Sequence, residues 1–427
     1  MVGTVASGIE EHQPLRLFTR IRVQLLGGML FAVVMPALVR WPSTSLIPVS
    51  GLSGLQSAVL GSFLALLVGY WALRQFIDYP GVQATQYIFP VFAASYALVI
   101  LGFFFLRIEY SRYQFGASFL VAIIWFYICF FLARRTLRPT YGLVTAGDTR
   151  GLNKIDIVDW VSLKQPAHPG GVLDGIVVDL RAELSDEWSG FLARSALKGL
   201  PVYHVKQMSE ALTGKVEIEN LSENSLGSVL PSLFYLKLKR LIDLGVAVVV
   251  TPVFMVIIAI AGLVIKLESR GPVFFLQPRM GFRGEPFEMI KLRTMQVDAQ
   301  AAGSQFTEDD DPRITRVGKY LRKYRIDELP QIVNIMAGEM SWIGPRPEAI
   351  ELSRWYERDI PFYSYRHIVR PGISGWAQVN QGNVAQLEAA TYKLHYDFYY
   401  IKHFSPWLDA LITAKTVRTI LTGFGSK

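Results

Sequence analysis

Long unbroken apolar runs, rather than alternating apolar and polar positions, dominate the first third of the chain. Four of them lie at about 20–40, 54–76, 87–107 and 113–133. Each is long enough as a helix to cross a hydrocarbon core of ~30 Å. Any one could be a buried core helix of a soluble domain; four in succession point to a four-helix transmembrane domain over residues 1–138. Arg16, Arg20 and Arg22 precede the first run, and Arg134, Arg135 and Arg138 follow the fourth. The excess of cations at both outer ends places both in the cytoplasm, with Arg107 and Arg112 in the third loop opposing that assignment.

From residue 139 the pattern changes to short apolar strands, GLVTAG, IDIVDWV, DGIVVDL and LPVYHV. SDEWSGFLARSALKGL between the last two carries helical spacing. Alternating strand and helix predicts a small parallel, Rossmann-like α/β domain over 139–215. Its first turn, YGLVTAGDTRG, does not match GxGxxG, so a structural or dimerising role is favoured over dinucleotide binding. Residues 216–231 are polar and small and are expected to be a linker.

A fifth apolar run occupies about 237–266 of the C-terminal domain, 232–427. Its length would suffice to span. Thr251-Pro252 falls in its middle, and Lys237, Lys239 and Arg240 flank one end, Lys266 and Arg270 the other. A re-entrant helix that enters, breaks at Pro252 and returns satisfies both features; a kinked fifth span is the alternative.

Beyond it the pattern is mixed α/β. PVFFLQPRMGFRGEPFEMIKLRTM (272–295) predicts strand, turn and strand, with Gly281 and Gly284 at the turn and Lys291 and Arg293 after it. DDDPRITRVGKYLRKYRIDELPQ (309–331) predicts one helix capped by Asp311, with Val317, Tyr320, Leu321, Tyr324 and Glu328 near one face. The adjacent carboxylates Asp327 and Glu328 follow Arg322, Lys323 and Arg325 and precede the apolar LPQIVNIM. Solvated or ion-paired carboxylates would explain an isolated pair of this kind. A carboxylate near cations and packed structure can also serve as nucleophile, base or Mg²⁺ ligand beside a bound phosphate. Pro345 and Pro347 fix the backbone on either side of Arg346, so a guanidinium could be aimed at a phosphate. A rigid surface turn is the other reading. In RPGISGWAQVN, Arg370 and Gln378 are candidate phosphate or sugar contacts. The segment 405–424 predicts an amphipathic helix, interfacial or packed on the core.

Composition narrows these readings. The chain has 427 residues, 51% hydrophobic, with a formal net charge of +8. That charge suits anionic lipid, phosphorylated substrates or nucleic acid, and does not choose among them. A single cysteine, Cys129, excludes an internal disulfide, and the six histidines show no HExxH spacing, against a zinc hydrolase. Residues 1–20 lack the apolar core of a cleavable signal peptide.

KRLIDLGVAVVVTPVF, GPVFFLQPRMGFRG, KLRTM, DPRITRVGKYLRKYRIDELPQIVNIMAGEMSWIGPRP and RPGISGWAQVN together resemble the bacterial sugar transferases of the monotopic polyprenyl-phosphate phosphoglycosyltransferase family. The resemblance covers about 230–427, and the N-terminal half resembles the family's long form in architecture. It implies transfer of a sugar-1-phosphate, with glucose narrowly ahead of galactose, from a UDP-sugar to undecaprenyl phosphate, with release of UMP. That would be the first membrane step of exopolysaccharide, capsule or O-antigen synthesis. The implied location is the bacterial inner membrane, with the catalytic domain on the cytoplasmic face. By the same resemblance Asp327 would be the nucleophile and Glu328 would orient it or help hold Mg²⁺. Lys291, Arg293, Arg322 and the Pro345-Arg346-Pro347 segment would bind phosphate or nucleotide. Thr251, where the family often has serine, and Pro252 would break the membrane helix. The sequence departs from the family at Gln381, where glycine is expected after QVN. A bilayer and a homodimer through the middle domain are implied partners; nucleic acid is not. Two other readings stay open: a Mg²⁺-dependent diphosphate hydrolase, and a non-catalytic membrane scaffold.

Overall fold

The computed structural model describes residues 20–40, 54–77, 79, 84–136, 138–149, 151–218, 231–296, 311–381 and 387–422. Most of the expected linker and the first two residues of the helix expected over 309–331 lie outside them. The chain divides into two compact units, Met1–Thr213 and Gly214–Lys427.

In the first unit the apolar runs are helices. They are α1 (Ile21–Gly28), a π-helical stretch Met29–Val34, α2 (Met35–Arg40), α3 (Gly54–Ile77), α4 (Ala84–Phe105) and α5 (Arg112–Thr136). They pack on one another through buried aromatic and polar contacts. Phe92 stacks on Phe126 with ring centroids 4.7 Å apart, and Tyr96 Oη bonds Ser118 Oγ at 2.8 Å. Gln114 Nε2 donates to the Val33 carbonyl at 3.0 Å, where the π-helical stretch alters the ladder. The opposite faces carry exposed Leu26, Leu98 and Phe104, the last 74% exposed. Leaving that much apolar side chain in water is unfavourable, whereas lipid accepts it. Among the described residues, five helices, these four segments and one in the second unit, are long and apolar enough to cross a membrane.

The four expected strands form one parallel sheet. β1 (Thr140–Val144), β2 (Asp159–Leu163), β3 (Gly175–Val178) and β4 (Val202–His204) lie in the order β2-β1-β3-β4. Ser185 caps α6 (Asp186–Leu197), accepting from the Trp188 amide, and Asp186 and Glu187 suit its first turn. A further helix, α7 (Val205–Thr213), follows β4 directly. Ligands of open parallel sheets bind where the strand order reverses, here between the ends of β1 and β3. Asp179 occupies that place: its carboxylate accepts from the Asp148 and Arg181 amides, each at 3.1 Å. Burial opposes its ionisation, but these bonds hold its carboxyl below the usual range. Gly147, at φ +81°, passes so close that an added Cβ would lie 2.8 Å from Asp179. The protein's own carboxylate thus takes the amides a phosphate would use.

The second unit begins on α8 (Leu233–Glu268), 36 residues of continuous helix with Pro252 inside. The expectation of a break at Pro252 is corrected in this respect: the backbone stays helical through the proline. Pro252 removes one ladder bond, and Thr251 Oγ1 turns back to the Ala247 carbonyl at 2.7 Å, a pattern that bends helices without ending them. The first turns of α8 bury a polar stripe. Lys239 Nζ and Tyr235 Oη both meet Asp409 Oδ2 at 2.6 Å, and Asp243 accepts from Ser341 Oγ at 2.7 Å. Asp409 lies on the C-terminal helix, Pro406–Thr422, whose Leu408, Leu411 and Ile412 are fully buried. The C-terminal amphipathic helix therefore packs on the core.

β5 (Phe274–Met280) and β6 (Pro286–Leu292) form the expected antiparallel hairpin. The helix expected over 309–331 is shorter and interrupted. Asp311 does not cap it: its carboxylate is taken by Arg313 at 2.6–3.0 Å. Thr315 caps instead, accepting from Gly318 N at 2.9 Å, and Glu268 of α8 accepts from the Val317 amide at 3.1 Å. The helix, α9 (Arg316–Lys323), ends at once, because Arg325 adopts left-handed φ of 54°. A separate 3₁₀ turn, Ile326–Gln331, then leads into α10 (Ile332–Ala337). Tyr320 and Tyr324 are consequently exposed and do not share a face with the buried Glu328.

Candidate active site

The 3₁₀ turn presses the acidic pair against β6. The reversal at Arg325 turns both carboxylates inward, leaving Asp327 9% and Glu328 6% exposed. Behind them Ile332 and Ile335 of α10 pack on Phe287 and Met289 of the hairpin. Asn334 fastens the two: Nδ2 donates to the Glu288 carbonyl at 2.7 Å and Oδ1 accepts from the Ile290 amide at 3.1 Å.

Glu328 is the charge-paired member. Its Oε1 meets Arg346 Nη2 at 2.9 Å and Lys291 Nζ at 4.0 Å, and Oε2 lies 3.7 Å from Arg325 Nη1. Burial alone would raise its pKa; Arg346, Lys291 and Arg325 outweigh burial and hold it at about 2. Oε2 is buried without a hydrogen-bond partner. No hydrogen bond or ion pair from the described residues reaches the Asp327 carboxylate. Burial, and then the charge of Glu328, push its carboxyl up to about 6. Lys291 is pushed down to about 8 by burial, against the pull of Glu328, with Arg346 and Arg279 adding repulsion.

Arg346 owes its position to two structures. Its segment follows β7 (Ser341–Ile343), which pairs in parallel with β8 (Gly372–Ser374). The segments meet through glycine: a Cβ on Gly372 would lie 2.1 Å from Gly344 N, and one on Gly375 2.3 Å from Gly344 O. Pro345 accepts from Gly372 N at 2.9 Å, and Pro347 from Arg279 Nη1 at 3.2 Å. The second structure is a buried ion network. Arg366 donates to the Arg346 carbonyl at 2.9 Å and to Asp397 at 2.8 Å, and Glu348 meets Lys393.

Of the residues singled out from sequence, Lys291, Asp327, Glu328 and Arg346 converge. Arg322 is adjacent: its Nε donates to Thr294 Oγ1 at 2.8 Å, and its charge acts on Asp327. Arg293 is turned elsewhere, its guanidinium on the Ser269 and Arg270 carbonyls at 2.9 and 2.7 Å, closing the C-terminal end of α8. Thr251 and Pro252 stay within α8. Arg370 is occupied by the Gly338 carbonyl at 2.8 Å and Gln378 by that of Ile373 at 3.1 Å. Arg279, Glu348, Arg366, Lys393 and Asp397 were not found from sequence. Their partners lie 20–68 residues away, beyond the reach of any local spacing rule.

An open carboxylate beside a neutralised one, ringed by cations, suits attack on a phosphorus centre and neutralisation of diphosphate charge. The family model for bacterial sugar transferases matches residues 234–423. The UDP-N-acetylgalactosamine-undecaprenyl-phosphate N-acetylgalactosaminephosphotransferase of Aeromonas hydrophila is 45% identical over 417 residues, 96% of this chain and 97% of that protein. A UDP-glucose:undecaprenyl-phosphate glucose-1-phosphate transferase of Caulobacter vibrioides is 40% identical over 186 residues, 43% of this chain and 70% of that protein. One of the same name from Escherichia coli is 39% identical over 183 residues, 42% of this chain and 39% of that protein. With its apolar helices, its acidic pair and a relative matched almost end to end, the chain belongs to the bacterial sugar transferases, as a long-form membrane undecaprenyl-phosphate sugar phosphotransferase.

Proposed function

We propose that the protein transfers a sugar-1-phosphate from a UDP-sugar to undecaprenyl phosphate, with Asp327 as the nucleophile. The observation that carries this is the unengaged Asp327 carboxylate beside a Glu328 already neutralised by Arg346 and Lys291. An Asp327 oxygen attacks the phosphorus bearing the sugar, the bond to the α-phosphate oxygen breaks, and UMP leaves. The phosphate oxygen of undecaprenyl phosphate then attacks the aspartyl-phosphosugar, and the Asp327 carboxylate is released. Arg346, Lys291 and Arg322 offset the negative charge gathered at the diphosphate.

N-Acetylgalactosamine is the proposed sugar, ahead of the glucose favoured from sequence. The relative matched over 97% of its length is named for it, whereas the glucose enzymes match over 43% and 42% of this chain.

Two adjacent carboxylates, one with an unpartnered buried oxygen, fit Mg²⁺, which binds through one or two carboxylates and substrate phosphates. Asp327 and Glu328 would hold it, and it would supply neutralisation of phosphate charge. Chelation with EDTA is expected to abolish UMP release and added Mg²⁺ to restore it; activity in EDTA would remove the metal from the reaction.

The proposed setting is the inner membrane, with the second unit on the cytoplasmic face, where UDP-sugars are found. α8 is proposed to enter and return through a bend at Pro252, and the middle domain to join two copies.

The test is UMP release from UDP-N-acetylgalactosamine, UDP-glucose and UDP-galactose by purified protein with undecaprenyl phosphate and Mg²⁺. Wild type should release UMP only when lipid is present. Asp327→Asn should lower the rate by a factor on the order of 10³ or more. Full activity in Asp327→Asn would remove Asp327 as nucleophile, and free sugar phosphate in place of sugar-lipid would make the protein a hydrolase.

A further inference from the structure

Most of the cations around the Pro345-Arg346-Pro347 segment are paired. Lys291, Arg346, Arg366 and Lys393 each have a carboxylate oxygen within 4.0 Å. Arg279, at the end of β5, has none among the described residues. Its Nη1 donates to the Pro347 carbonyl at 3.2 Å and its Nη2 to Gln277 Oε1 at 2.7 Å, both neutral acceptors. Its Nε is buried with no partner.

The side chain is held in place. The Met280 amide donates to the Glu348 carbonyl at 2.9 Å, and residue 279 bridges Ala349, so β5 is sewn to the segment that carries Arg346. Strand alternation puts Arg279 on the same hairpin face as Lys291, through the register 279↔287 and 275↔291. Burial and the neighbouring Arg346 press against its charge and outweigh the pull of the Glu348 and Glu328 carboxylates, lowering its pKa to about 10. A guanidinium has five N–H donors, and withdrawing it from water without an anion is costly.

We propose that Arg279 is a substrate-binding residue that receives a phosphate oxygen, which sits between it and Arg346. The inference rests on the transfer reading above. The oxygen belongs to the nucleotide diphosphate or to the lipid phosphate; the chemistry is the same, and kinetics separate the two.

The experiment uses the full chain in detergent or nanodiscs, as wild type, Arg279→Gln and Arg279→Lys. UMP release is measured by varying UDP-sugar at fixed lipid, and lipid at fixed UDP-sugar. Arg279→Gln is expected to raise one KM by about tenfold or more, the loss of a charge-assisted bond, with kcat little changed. The arm that moves names the phosphate. Arg279→Lys should recover part of the loss. Both KM values unchanged, or a fall in kcat and thermal stability with KM unchanged and no recovery by lysine, would make Arg279 a brace for Pro347 and overturn the proposal. Binding of inorganic pyrophosphate, followed by calorimetry, is independent of turnover. Should wild type release no UMP, the transfer reading would fall. Weaker pyrophosphate binding by Arg279→Gln would still sustain the oxyanion contact, and equal binding would overturn it.

Discussion

Burial pushes the Asp327 carboxyl up to about 6, while three cations, against burial, hold Glu328 at about 2. The nucleophile must be ionised to attack. The rate per unit substrate should therefore fall about tenfold per pH unit below 6 and level off above it. A profile with its acid limb centred near 4 would mean that Asp327 is not so perturbed. Stability follows with opposite signs. Asp327 has a raised folded-state pKa, so its contribution favours folding below pH 3.8 and is lost as pH rises to about 6. Asp327→Asn should thus gain thermal stability over wild type across that window and keep the gain above it. Glu328 is depressed: its contribution is present above pH 4.5 and is lost as pH falls toward 2. The pair itself could be seen in the sequence because its chemistry is local. Its unequal environments could not, since Lys291 and Arg346 arrive from 37 and 18 positions away.

Two glycine contacts and one arginine turn shape the elements that carry the site. Helical periodicity carried the expected helix straight through residue 325, because nothing in apolar spacing marks a left-handed arginine. Such a residue costs about 1–3 kcal/mol and is held by its surroundings. The β7–β8 seam is equally silent in a periodic pattern. Gly372→Ala would drive a Cβ to 2.1 Å from Gly344 N, against backbone that cannot swing aside. It is expected to cost about 1–3 kcal/mol and to reduce UMP release, whereas Gly102→Ala, with nothing within 4 Å, should do neither. Thermal unfolding of both variants in one detergent checks this. On the C-terminal helix, Asp409→Ala would leave Lys239 of α8 buried without its 2.6 Å partner. Breaking such a pair costs about 3–5 kcal/mol, so this variant should unfold well below wild type. The sequence marked Lys239 as a flanking cation, but its partner Asp409 lies 170 residues away, beyond any local spacing rule.

Apolar runs, strand order class and the hairpin were all legible, because burial in lipid or sheet writes itself into long stretches of sequence. The division at Thr213 and Gly214 sets the chemistry in the second unit. The family model matches residues 234–423, inside that unit, and a relative named for glucose-1-phosphate transfer is matched over 186 residues, 70% of its length. Residues 214–427 alone are therefore expected to release UMP in lipid-dependent fashion, at a rate within about tenfold of the full chain if the first unit contributes no catalytic group. A dead C-terminal fragment that is folded by circular dichroism would assign part of the site to the first unit. Within the second unit, Arg293 grips the Ser269 and Arg270 carbonyls just past the end of α8, and Lys291 stands two residues before it on β6. The apolar helix, proposed above to enter the bilayer, and the ammonium facing Glu328 are in this way mechanically one piece. Bilayer thickness then becomes a variable of the reaction. Vesicles of short and long acyl chains should give different turnover numbers for one and the same preparation, and Arg293→Ala should flatten that dependence.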